Sequence, residues 1–329
     1  MADGVCVMNR YARQIILPEI GTEGQSKLSR ARVLVVGAGG LGCPVLQYLV
    51  GAGVGQITVL DPDIVEESNL HRQPLYTMSD VGRPKVLAAR DHLLDANPAS
   101  SFQTHMTSLY PGNAAALVND ADVVVDAADS FAVTYTLSDA CKIAGVPLIS
   151  ASVLGQSGYA GGFCGPAPSV RAIFPDLPAR AGACATAGVM GPVVGMIGTV
   201  QAQMVLQIIL GHAPSPLGRI VTFDASTWHF GGFCFAGTPE PQHRPSFVGR
   251  ADICGDDHVI ELRTEEEARD TITSQAERWS VETIPDFVPR AGRRVVLCCA
   301  TGVRAWRAAS ILNENGITNT ALLAIRCCE

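Results

Sequence analysis

Two clusters of residues have types and spacings that chemistry can use. The first is Gly37-Ala38-Gly39-Gly40-Leu41-Gly42, which fits G-x-G-x-x-G. Glycines at these positions let a backbone turn tightly and approach a phosphate, and a helix starting beyond them offers free N–H groups to the anion. Asp61 follows Gly42 by 19 residues, the spacing at which a carboxylate accepts hydrogen bonds from ribose hydroxyls. Loop and acid together specify an adenosine ribose and leave open whether NAD or ATP carries it. The second cluster favours ATP. Asn69, Arg72, Gln73 and Lys85 form a polar stretch just after the ribose acid, and two cations there suit phosphates, whereas a hydride-transfer pocket needs no such charge. Asp126 and Asp129 follow the end of a later strand, and hard carboxylate oxygens suit Mg2+ on a polyphosphate.

These residues need a sheet that brings several strand ends to one edge. Arg32–Val36 runs straight into Gly37, and Cys43–Val50 reads as the helix after the loop. Gln56–Leu60 is a second strand ending at Asp61, Lys85–Asp95 an amphipathic helix, and Phe102–Ser108, Asp122–Val125 and Pro147–Ser150 three further strands. The alternation predicts an α/β fold, a Rossmann-like doubly wound and mostly parallel sheet. Gly155–Pro168 is rich in small residues and predicts an antiparallel extension, followed by an apolar helix around 188–211 and a strand at Arg219–Phe223. Residues 238–255 have the proline and polar content of a linker. Beyond it, Val259–Arg263, a helical stretch from Thr264, Arg294–Cys298 and Ala305–Asn315 predict a small C-terminal α/β unit. The boundaries are therefore 1–237, 238–255 and 256–329.

The totals agree with this division. A chain of 329 residues exceeds one compact core, and 47% hydrophobic with 17% charged residues is the balance of a folded globular protein. Net charge is 24 − 31 = −7, with no run of Lys or Arg, which argues against a nucleic-acid surface. Eleven cysteines lack the spacing of a disulfide framework, and the N-terminus lacks the apolar core of a signal peptide. Free thiols in the cytoplasm are expected. Residues 181–211 carry no charge, but Pro192, Gln201, Gln203, Gln207 and several glycines predict a buried core helix rather than a membrane span.

RYARQIILPEIG (10–21), RVLVVGAGGLGCPVLQYLVGAGVGQITVLDPDIVEESNLHRQ (32–73), VGRPKV (81–86) and CATAGVMGPVVGMIGTVQA (184–202) appear in order over roughly residues 8–235. They resemble the ThiF/MoeB family, the bacterial relatives of ubiquitin-activating enzymes. The resemblance implies a homodimer that adenylates the C-terminal Gly-Gly carboxylate of a small ubiquitin-like sulfur-carrier protein, with ATP and Mg2+, followed by sulfur transfer to give a thiocarboxylate. It implies nucleotide contacts from Gly37, Gly39, Gly40, Gly42, Asp61 and Asp63, phosphate contacts from Asn69, Arg72, Gln73 and Lys85, and Mg2+ on Asp129. Arg13 would reach into the partner subunit's site. Cys184 falls where the family carries a cysteine that can bond to the activated carrier, and a thiolate can attack an acyl adenylate.

The sequence departs from the family pattern at several points. Many members bind a structural zinc through two C-x-x-C pairs, but the first pair's positions hold Ser169 and Ala172, and after residue 225 Cys234 has no partner two residues on. Tetrahedral zinc needs four good ligands, so structural zinc is not expected, and packing alone is expected to hold that region. Ser130 stands where Asn is usual, and Thr134 replaces a frequent Arg. The C-terminal unit resembles a shortened rhodanese domain, through VIELR (259–263) and Cys299-Ala300-Thr301-Gly302-Val303-Arg304. The resemblance implies that backbone N–H groups face the Cys299 sulfur, which would carry sulfur from a donor such as a cysteine desulfurase. The GHIPGA-like segment of rhodaneses is absent, Ala300 replaces a common cation, Cys298 reads as a core strand residue, and Cys327-Cys328 lies in the tail. Two other readings stand beside the adenylyltransferase: a non-catalytic carrier-binding protein, and an NAD-dependent oxidoreductase.

Overall fold

The computed structural model describes residues 10–177, 188–242, 244–290 and 292–325. In chain order the elements of the first part are α1 (Ala12–Ile15), α2 (Gly21–Arg30), β1 (Arg32–Val36), α3 (Gly42–Ala52), β2 (Gln56–Leu60), α4 (Lys85–Ala96), β3 (Ser101–His105), α5 (Pro111–Asn119), β4 (Val123–Asp126), α6 (Phe131–Ala144), β5 (Pro147–Leu154), β6 (Ser157–Cys164), α7 (Val170–Ile173), α8 (Gly191–Leu210), β7 (Arg219–Asp224) and β8 (His229–Cys234). The eight strands form one sheet in the order β3-β2-β1-β4-β5-β6-β7-β8. The first five are parallel and the last three antiparallel to their neighbours. Strand order reverses between β1 and β4, and the crevice beyond the carboxyl ends there is where such sheets bind ligands.

Burial explains the strand composition. Val33, Leu34, Val35 and Val36 on β1 and Val123, Val124 and Val125 on β4 are all buried. Both faces of these central strands are covered, so they read as continuous apolar runs without alternation. The helix α8 has the length and apolarity of a membrane span, yet Val193, Val194, Ile197, Ala202, Met204 and Val205 are buried in the core against α3, β5 and β6. It is a core helix, as its glutamines predict. Gln201 is fully buried and donates to the Asp126 carbonyl at 2.8 Å.

The second part contains β9 (Ser246–Phe247), β10 (His258–Glu261), β11 (Glu277–Arg278), β12 (Val295–Cys299), α9 (Val303–Glu314) and β13 (Thr320–Ala324). They make a second, parallel sheet in the order β11-β10-β12-β13-β9. Within the span read as a linker, β9 is thus an edge strand of this sheet, beside β13. The helix expected from Thr264 does not form. Thr264 and Glu267 begin one turn by reciprocal hydrogen bonds, but the Arg278 guanidinium takes the carbonyls of Arg263, Ala268 and Arg269, which a continuing helix would use. The two sheets share one core: Tyr135, Phe163 and Val170 join Phe247, Cys299 and Trp306 in a single buried cluster.

Candidate functional site

At the switch point, Gly37 holds φ +101° and its N–H bonds the Leu60 carbonyl at 2.8 Å. A side chain at Gly37 would meet the Ala127 carbonyl oxygen at 2.6 Å, and one at Gly42 would lie 2.0 Å from the Gly37 oxygen. Only glycine fits at either place, because the loop is folded against β4 and against itself. Tyr76 braces it from below, its hydroxyl donating to the carbonyls of Ala38 at 2.7 Å and Lys85 at 3.3 Å.

Asp61 lies at the carboxyl end of β2, where its Oδ2 accepts the Ala38 N–H at 2.7 Å and its Oδ1 the Asp63 N–H at 2.8 Å. Burial raises its carboxyl above the ordinary range, opposed by Lys85 and these N–H groups. Lys85 is buried with its Nζ 2.8 Å from exposed Asp63. One carboxylate leaves an ammonium with further donor capacity. Asn69, Arg72 and Gln73 sit together: Asn69 Oδ1 accepts from Gln73 Nε2 at 2.9 Å and from Arg72 at 3.4 Å. Arg72 and Gln73 border Gly40 and Gly39 respectively. Gln73 Oε1 is a buried acceptor with no donor. A glycine loop bordered by Arg72 and Gln73, with Lys85 acting on the charge of Asp61 and an unmet amide oxygen beside it, fits a nucleotide.

The carboxylates after β4 divide. Asp126 is fully buried, with Oδ2 held by Thr134 at 2.7 Å and Ser150 at 2.8 Å, and Oδ1 accepting the Ala128 N–H at 3.2 Å. Burial pushes its carboxyl up to about 6. It faces inward, so of the two acids only exposed Asp129 could hold Mg2+. The Thr134 departure therefore has a structural use, holding Asp126 below the loop. The loop ahead of Lys85 is braced by buried Asp80, which pairs with Arg83 and His92 and bonds Thr77. Sequence reasoning missed Tyr76, Asp80 and Thr134 as supports, since each bonds backbone or carboxylate groups distant in type from any motif.

Arg13 stands elsewhere. It is exposed on α1, next to Tyr11, whose ring packs at Gly53 and whose hydroxyl accepts from Asn97 at 2.7 Å. Those partners close α3 and α4 at the end of the sheet remote from the glycine loop. Cys184 and the Cys327-Cys328 pair lie outside the described residues.

Cys299 ends β12 and is enclosed. Its Sγ accepts N–H groups from Gly302 at 3.1 Å and Ala305 at 3.4 Å, the arrangement expected around a thiolate. Arg304 next to it is held by Glu267 through two bonds of 2.7 Å. Cys298 is buried on the opposite face of the strand.

The zinc positions do not fit the metal. Among the described residues no cluster of three or more His, Cys, Asp or Glu could hold an ion. Ser169 instead gives its Oγ at 2.5 Å and its N–H at 2.8 Å to the Glu240 carboxylate. Lys142 at 3.3 Å and Arg244 at 3.5 Å pair with the same group. Packing alone is thus corrected: a polar clasp ties 169 to 240. Arg171 and Asp139 add a bidentate pair at 2.7 and 2.8 Å nearby.

Residues 11–244 match the ThiF family. A protein of Thermus thermophilus named "Sulfur carrier protein adenylyltransferase" is 39% identical over 258 residues, covering 76% of this chain and 92% of its own length. Mycobacterium tuberculosis has one named "Probable adenylyltransferase/sulfurtransferase MoeZ", 32% identical, whose match covers 95% of this chain and 90% of that protein. "Adenylyltransferase and sulfurtransferase MOCS3" of Culex quinquefasciatus is 48% identical over 218 residues. That match covers 65% of this chain, which spans about half (50%) of that relative's length. Among solved structures, E. coli MccB with MccA-N7isoASN shares the fold at TM-score 0.62 and 23% identity, over 70% of this chain and 72% of that one. E. coli MccB with ATP aligns at TM-score 0.59 and 25% identity, over 70% and 73%.

Proposed function

The chain belongs to the ThiF family, and from that premise we propose that it uses ATP to adenylate the C-terminal Gly-Gly carboxylate of a small ubiquitin-like sulfur carrier. One observation carries the reading: Arg72 and Gln73 border Gly40 and Gly39 of the loop, and buried Lys85 lies close enough to Asp61 to act on its charge. Attack of a carboxylate oxygen on the α-phosphorus brings anions together and releases pyrophosphate, so cations must already be in place. Asp61 would take the ribose and Asp129 would hold Mg2+, which neutralises charge on the phosphates. The placement of Arg13 away from its own chain's loop supports its acting across a homodimer.

The terminal sulfur of a cysteine persulfide, loaded by a donor such as a cysteine desulfurase in the cytoplasm, would then displace AMP at the acyl carbon to give an acyl disulfide. Attack of a second thiol on the cysteine sulfur would release the thiocarboxylate and leave a disulfide between the two thiols. Cys184 is the candidate acceptor that the family resemblance implies. Cys299 has the N–H cradle that a persulfide needs, but its enclosure means that the 299–304 loop must open to use it. The names of the Thermus and Mycobacterium relatives support both halves of the reaction. The two cations at the loop disfavour hydride transfer.

The test is ATP–pyrophosphate exchange with Gly-Gly-ended carriers, followed by mass analysis of the carrier for a gain of about 16 as sulfur replaces oxygen. Exchange that depends on a carrier is expected. Tight carrier binding without AMP formation would instead single out a non-catalytic binder.

A further inference from the structure

Three buried side chains join the two sheets at one point. Arg171 is 1% exposed, and its guanidinium carbon lies 4.9 Å from the Tyr135 ring centroid and 5.2 Å from that of Trp306. The two rings are themselves 4.7 Å apart. Arg171 is also clamped to Asp139, while its Nη1 has no acceptor. An arginine that accepts such burial is held by geometry as much as by charge. Phe247 of β9 adds a ring 6.5 Å from Trp306 and packs on Gly302.

Each of these residues sits close to a loop with chemistry of its own. Tyr135 is next to Thr134 near the start of α6, and Thr134 holds Asp126, the last residue of β4 and three residues ahead of Asp129. Along the same helix, the Ser138 oxygen accepts the Val170 N–H at 3.0 Å, Asp139 holds Arg171, and Lys142 bonds the Ala167 carbonyl at 2.9 Å. Trp306 lies in the first turn of α9, directly after the Cys299 loop, and its N–H bonds the Gly302 carbonyl at 2.9 Å. The helix α6 is therefore gripped along its length by the 167–171 segment and touched by the C-terminal unit through Trp306 on Tyr135 and Arg171, while Thr134 in its first turn holds Asp126.

We propose that Trp306 and Arg171 are positioning residues for adenylation: the C-terminal unit is docked so that α9 fixes α6, and α6 fixes the 126–130 loop. The inference rests on the adenylation reading. It gives the C-terminal unit a part in the first half-reaction, independent of any sulfur carried by Cys299. Displacements well under an ångström at a charged site are enough to matter, since misplacement by about 1 Å from a remote change can cost about a hundredfold.

The experiment compares wild type, Trp306→Ala and Trp306→Phe as full chains in ATP–pyrophosphate exchange, with magnesium titrated and near-UV circular dichroism checking the fold. Expected is a native-like Trp306→Ala whose half-saturating ATP and magnesium rise on the order of tenfold, with Trp306→Phe restoring most of the loss. A folded Trp306→Ala with wild-type half-saturation, even at reduced thermal stability, overturns the proposal and leaves Trp306 as packing. A second measurement uses unaltered protein, so that a variant that does not fold decides nothing by itself. On adding ATP and magnesium, amide hydrogen exchange over 303–312 should slow along with that over 126–136. Protection of 126–136 alone overturns the coupling. A wild type that shows no exchange with any carrier would count against the adenylation reading rather than against the coupling.

Discussion

Asp126 and Asp129 are three residues apart and share a side-chain type, yet Asp126 is fully buried and Asp129 exposed. Asp126 spends both oxygens on Thr134, Ser150 and the Ala128 N–H, and an asparagine can satisfy the same neighbours. Asp126→Asn is expected to keep exchange within about tenfold of wild type, whereas Asp129→Asn should lose roughly a hundredfold or more, the scale of removing one preorganised electrostatic contact. Steady-state exchange on the two variants decides it, and equal losses would place both acids on the metal. The glycine loop and Asp61 were legible in the sequence because the strand, turn and acid follow one another at fixed local spacing. The inward turn of Asp126 was not, since it depends on Ser150 and Thr134 meeting it in space. Likewise Tyr76 shows its role only once its hydroxyl is seen on the Ala38 carbonyl.

At the scale of elements, a polar clasp ties the start of α7 to the segment after β8. Glu240 is penalised by burial, but the Ser169 hydroxyl and N–H and the Lys142 ammonium hold its carboxyl below the ordinary range. A lowered acid contributes stability that is full above its unfolded value and is lost as pH falls through the folded one. Glu240→Gln should thus cost about 1.5–3 kcal/mol at pH 7, the range for hydrogen bonds to a charged group. The difference from wild type should shrink as pH falls below about 4.5. Urea unfolding of both proteins across that range measures it, and a difference independent of pH would show that the charge is not what matters. Strands with continuous apolar runs were readable at this scale. The two-residue β9 and the missing helix after Thr264 were not. The first is too short to carry a pattern, and the second is undone by Arg278, 14 residues on, capturing helix carbonyls.

The whole molecule encloses most of its described thiols. Cys43, Cys141, Cys164, Cys298 and Cys299 are buried, and Cys234 and Cys254 are exposed. Burial pushes Cys43 and Cys164 up to about 12, so neither forms thiolate at neutral pH. Brief iodoacetamide treatment of the native protein should therefore label Cys234 and Cys254 and spare the other five, read by peptide mass mapping. Labelling of Cys299 at the rate of Cys234 would mean that the 299–304 loop opens freely. The division into two sheets was legible from composition and periodicity, but their common core was not, because Tyr135, Arg171 and Trp306 are brought together from three separate stretches. The order β11-β10-β12-β13-β9 also sets a timetable. The strand β13 (Thr320–Ala324) comes last of the five in chain order, yet it lies between β12 and β9, so the small sheet cannot knit together before residues 320–324 have been made. The larger sheet can fold earlier during synthesis. The grip on α6 would then close only after the larger sheet has formed, and a stop codon ahead of residue 320 would leave the nucleotide loop built but unbraced.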